Sequence, residues 1–170
     1  MSRSKCAVNR GTGMAQTTTF RSIFALNSKV ALGQTASLAR DLLPDRVAQS
    51  FLHWWSPGEA LPTSARFLLL GVAVWSGYDM NLLDHLDKAV ATSADRSPTV
   101  FVFDADRCTS QDDFQRIIPD IGFVHHTPVV GYWENGKLAD KGCGYEGRQL
   151  VARLYGIDEQ LLHQRITAAS

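Results

Sequence analysis

Residues 67–75 read FLLLGVAVW, a nine-residue apolar run broken only by Gly71. A run without alternation has no face to offer water, so as a strand it is buried on both sides. It therefore predicts a central strand of a sheet covered by helices, and the sheet becomes the core of the protein. The run falls well short of the about 18 residues that a membrane span requires, so no span is expected.

The segments around this strand fit that frame. Pro44 suits the first turn of a helix, and Val47, Ala48, Phe51, Leu52 and Trp55 recur at helical spacing, predicting an amphipathic helix over 44–55. SPGEALPTS (56–64) has the composition of a loop. After the apolar strand, Leu82, Leu83, Leu86 and Val90 share one face of a helix over 80–92, and TVFVFD (99–104) reads as a further strand. Ser110 and Asp113 have the spacing to cap a short helix that runs to Ile118 and stops at Pro119. HTPVVGYW and KLADKG form two strands joined by the turn dipeptide Asn135-Gly136. A helix over 147–155 ends at Gly156, and Asp158 can begin a last one. TTTFRSIFAL (17–26) suits either a first strand or a short helix. Residues 1–16 are polar and read as a flexible basic tail or leader, leaving a domain over 17–170 with its core in 44–156.

Composition narrows the function. With 45% hydrophobic and 20% charged residues and a formal net charge of zero, the 170-residue chain has the makeup of one soluble domain and carries no footprint for nucleic acid. The balance is uneven along the chain: six of the 17 basic residues and none of the 17 acidic ones lie in residues 1–40. An acid-free, Ser/Thr-rich, Arg-containing start resembles an organelle transit peptide, which would place the protein in a matrix or stroma. A basic tail, or a true start at Met14, would leave it cytoplasmic. Residues 23–32 lack the apolar core of a secretory signal. Cys6, Cys108 and Cys143 are an odd count without Cys-x-x-Cys spacing, so neither a disulfide framework nor a zinc site is expected.

In order, the chain reads helix, strand, helix, strand, helix, Thr-Pro-strand, hairpin, helix. With Trp75 closing an apolar strand, Thr127-Pro128 opening the fourth, the VVGYWENGKL hairpin and Gly144 before the closing helix, it resembles the thioredoxin-like superfamily over residues 44–156. The resemblance implies an α/β three-layer sandwich, a central mixed β-sheet flanked by helices, with Pro128 in the cis form. In redox-active relatives a Cys-x-x-Cys follows the strand-terminal tryptophan, its first thiol activated at a helix N-terminus. The matching positions are taken as Asp79 and Leu82, so both sulfurs are absent, and Ala73 stands where many relatives carry a buried proton-carrying acid. Dithiol chemistry is not expected. On this reading Asp79 caps the following helix.

What remains is a binding face. The resemblance brings Trp75, Tyr78 and Asp79 beside His126, Thr127 and Pro128, where relatives pair with an extended peptide or with glutathione. His126 either touches a ligand or belongs, with His125, to a solvated loop pair; adjacent side chains on extended backbone diverge, so no metal site is expected. Trp54, Trp55, Tyr132 and Trp133 read as core. Cys143, between Gly142 and Gly144, is either a small buried residue or the best-placed reactive thiol, while acids near Cys108 oppose its ionisation. Two functions follow: a non-catalytic adaptor or assembly factor that binds a protein or peptide without a cofactor, or a monothiol enzyme, glutathione-linked or peroxide-reacting, that uses Cys143 or Cys108.

Overall fold

A computed structural model describes residues 18–28, 34–93 and 97–167. The expectations for residues 1–16 lie outside this range. Among the described residues, helices α1 (Phe20–Ser28) and α2 (Gln34–Ala48) precede strands β1 (His53–Trp54) and β2 (Arg66–Val72). Helix α3 (Gly77–Thr92), strand β3 (Thr99–Asp104), a 3₁₀ turn (Ala105–Arg107) and helix α4 (Gln111–Ile117) follow. The chain closes with β4 (Val129–Glu134), β5 (Lys137–Cys143), α5 (Gly144–Tyr155) and α6 (Glu159–Leu162).

The strands form one mixed sheet in the order β1-β3-β2-β4-β5, with β2 parallel to β3 and antiparallel to β4. The apolar run is thus an inner strand with neighbours on both sides, and its alternate residues feed two different cores. Leu68, Leu70 and Val72 meet Phe20 and Ile23 of α1, Leu43 of α2, Leu83 of α3 and Val151 of α5. On the other face Phe67 and Leu69 join Phe103, Trp133 and the Ile117–Ile118 end of α4. Helices therefore cover both faces, an α/β arrangement. Gly71 lies directly under the Phe103 ring: an added Cβ would stand 2.5 Å from its Cζ.

Two expectations are corrected. The helix read over 44–55 ends at Ala48, with Pro44 inside it rather than at its start, and His53 and Trp54 pair instead with Phe101 and Val102 of β3. Phe51, assigned to the buried face, is exposed. The apolar spacing continued past the point where the backbone stopped being helical. The core also reaches beyond 44–156, since Phe20, Ile23, Leu162 and Ile166 are all buried. Of the segment 17–26, open between strand and helix, residues 20–26 lie in α1. No helix among the described residues is long and apolar enough to cross a membrane.

Candidate functional site

Strand β2 and its neighbour β4 run in opposite directions, so the end of one and the start of the other share an edge of the sheet. From the end of β2 the chain turns through Trp75 into α3. Into the start of β4 it arrives through 122–128, outside any strand, across a cis Thr127–Pro128 peptide bond. The two turns lie side by side: Trp75, Ser76, Gly77 and Tyr78 line one cleft of about 460 Å³ with His126 and Thr127. Gly144, Tyr145 and Arg148 of α5, and Arg165 beyond α6, complete it.

Each wall has a local cause. Ser76 is the N-cap of α3, and its hydroxyl accepts the Asp79 N–H at 3.2 Å. Trp75 is 55% exposed, yet its indole N–H is held by both carboxylate oxygens of Asp106 at 3.1 Å. Tyr78, 38% exposed, has the Arg148 guanidinium 5.0 Å from its ring centre. Gly144 has φ +54°, a conformation side-chain-bearing residues avoid, and an added Cβ there would stand 3.1 Å from the His126 Cβ. Glycine lets α5 begin close against the His126 loop. Tyr145 is stacked on His163 at 4.5 Å, and its hydroxyl meets Glu159 Oε1 at 3.0 Å. The backbone N–H of Ile166 donates to the Gly77 carbonyl, drawing the C-terminal segment over the start of α3.

The cap assigned to Asp79 is corrected. The helix begins three residues earlier than that assignment requires, and Asp79 sits in its first turn with its carboxylate turned inward. Its Oδ2 accepts the backbone N–H of Ala73 at 2.9 Å, whereas Oδ1 accepts no hydrogen bond of ordinary geometry. The side chain is 0% exposed. Burial pushes its pKa from 3.8 up to about 6, against the opposing pull of the Thr127 hydroxyl, the Ala73 N–H, the Ser76 hydroxyl and the Arg148 charge. Desolvation outweighs them because a carboxylate without water needs every lone pair filled to remain comfortably charged.

The residues singled out from sequence thus divide. Trp75, Tyr78, His126 and Thr127 face the cleft; Asp79 and Pro128 are buried beside it and offer no surface to a partner. His125 turns to Phe123, with ring centres 4.3 Å apart. Neither Cys143 nor Cys108 lines this cleft. Burial raises the Cys143 thiol pKa, with the His125 N–H working the other way. Cys108 is pushed up to about 11, by burial first and then by Asp113 and Asp104. A thiol held protonated is a poor nucleophile. No group of three or more His, Cys, Asp or Glu among the described residues is placed to hold a metal ion.

Sequence reading missed Ser76, Tyr145, Arg148 and Arg165. The Ser76-x-x-Asp79 spacing is a helix-start signal and locates the cap. Arg165 lies outside the segment taken as core, and only the fold of the C-terminal segment brings it to the cleft. No protein-family model matches the chain, and no curated protein or solved structure matches it either.

Proposed function

We propose that this protein is a non-catalytic binding module of the thioredoxin-like kind, holding an extended segment of a protein partner in the cleft between the Trp75–Tyr78 turn and the His126–Pro128 loop. The observation that carries this reading is the cleft itself: solvent-facing aromatic side chains from separate segments converge there, and no thiol does. Exposed aromatics that gather in a concavity provide apolar contact at small entropic cost, as interface anchors do. Backbone at His126 and Thr127, outside any strand, offers main-chain groups for strand-like pairing.

The mixed sheet with helices on both faces and the cis Thr127–Pro128 bond agree with what the resemblance implies, which supports reading the chain by that superfamily. With the helix start at Ser76, the positions that match Cys-x-x-Cys become Ser76 and Asp79 rather than Asp79 and Leu82. Neither is a thiol in either register. Asp79 does supply a buried acid under the cleft, yet no thiol stands there for it to serve.

The test pairs a binding and an activity measurement. Partner captured by the wild type should be lost or weakened by about 1 kcal/mol or more in Tyr78→Ala, with the circular-dichroism spectrum unchanged. Reduction of insulin disulfides and of glutathione disulfide should stay at background for the wild type and for Cys143→Ser. Turnover that disappears in Cys143→Ser would replace this reading with the monothiol enzyme.

A further inference from the structure

The two charged side chains in the lining of the cleft, Arg148 and Arg165, are both basic. Carboxylates stand outside the lining, Asp106 on the Trp75 indole and Glu159 on the Tyr145 hydroxyl. A separate hollow shows the contrast: Arg107 and Arg116 stand there with Glu59 and Asp113 in the lining, and each arginine meets a carboxylate, Asp104 at 3.7 Å and Asp113 at 3.1 Å. Among the described residues neither Arg148 nor Arg165 forms a direct ion pair with a carboxylate, although the Arg148 charge is felt by Asp79. Arg148 is instead oriented by His163, whose Nδ1 accepts from its Nε at 3.2 Å and whose Nε2 meets Glu159 Oε1 at 3.1 Å, and by the Tyr78 ring under its guanidinium. An arginine positioned this way keeps its remaining N–H donors free for a planar anion.

The backbone adds to the same sign. Gly77 and Tyr78 are the first residues of α3, Gly144 and Tyr145 the first of α5, and all four line the cleft. Two helix N-termini therefore direct their positive ends to one space, and at α5 the residue at the capping position, Cys143, makes no side-chain bond to the helix N–H groups. Asp79, beneath the floor, carries the opposing charge above its pKa of about 6, but it is fully buried and has no surface in the cleft. The walls, by contrast, are aromatic.

Resting on the binding reading above, we infer that the cleft takes an acidic side chain of an extended protein segment, its carboxylate between Arg148 and Arg165 and an apolar neighbour against Trp75 and Tyr78. The occupant is not supplied by the chain's own first forty residues, which contain no acid.

The inference is tested with a displayed library of random peptides selected on the full-length protein, followed by titration of one selected peptide synthesised with blocked ends. Aspartate or glutamate next to an apolar residue should be enriched. Arg148→Gln and Arg165→Gln should each weaken the synthetic peptide about tenfold, as should replacing its acid by the amide, because each removes one partner of a charged hydrogen bond. Arg165→Glu should shift selection toward lysine-containing peptides. Unchanged melting curves show that the variants are folded. Selected peptides without acids, or acidic peptides that bind both glutamine variants undiminished, overturn the charge assignment, and if they still require Tyr78 the cleft reading stands. Peptides indifferent to Tyr78→Ala, or no enrichment at all, overturn the cleft reading and the inference with it. Complete displacement by millimolar inorganic phosphate would show a general anion site and overturn the peptide assignment.

Discussion

Asp79→Asn should make the protein more stable at pH 8 and leave it nearly unchanged at pH 4. An acid whose pKa is higher in the native state holds its proton more tightly folded than unfolded. Its contribution is therefore neutral below the unfolded value and turns against folding as pH rises through the window up to the folded value. For Asp79 that window runs from 3.8 to about 6, and at pH 8 the ionised, fully buried carboxylate costs about 3 kcal/mol relative to its protonated form. Asparagine removes that charge and keeps the local contacts: its carbonyl can accept the Ala73 N–H, and its amide can donate toward the Thr127 and Ser76 hydroxyls. The assay is urea unfolding of wild type and Asp79→Asn, followed by tryptophan fluorescence at several pH values from 4 to 8. Other acids titrate in both proteins, so the difference between the two curves isolates Asp79. That difference should grow with pH to about 2 to 3 kcal/mol in favour of the variant, at unchanged m-value. A difference that stays flat with pH, or a variant less stable at pH 8, would refute the claim that Asp79 is held inside as a strained carboxylate.

Three smaller perturbations test neighbouring points. Ser76→Ala removes the cap of α3 and should lower stability by about 1 kcal/mol in the same unfolding assay; no loss would return the capping role to another group. Gly71→Ala places a methyl group into the Phe103 ring, which is itself fully buried, and should destabilise by about 1 to 3 kcal/mol, visible as a lower melting temperature. Site-resolved mass spectrometry after iodoacetamide treatment should show slow modification of native Cys108 at pH 7, rising until the pH approaches about 11, with Cys143 also slower than a free thiol. Rapid labelling of either at pH 7 would reopen thiol chemistry.

How much of this was readable depended on whether the cause was local. The hairpin at Asn135-Gly136 has both residues at positive φ, 52° and 75°, which that dipeptide adopts readily, and it emerged between the strands its sequence announces. Ser110 and Asp113 form a reciprocal capping box at α4, and Gly156 closes α5 at φ 65°. In each case a few neighbouring residues contain the whole interaction. The helix read over 44–55 failed for the opposite reason. Spacing describes which residues are apolar, but whether His53 and Trp54 continue a helix or join β3 depends on a strand almost fifty residues away.

The cleft divides along the same line. Residue order placed Trp75 at a strand end and Thr127-Pro128 before another, and the alternating sides of β2 followed from an apolar run that had to be buried on both faces. Local chemistry also held the start of α3 at Ser76. The inward turn of Asp79, the meeting of Arg148 with Tyr78, and the arrival of Arg165 from beyond α6 were decided only by tertiary structure. Burial and charge balance at a point in space are sums over every segment that packs there, and no stretch of sequence contains that sum.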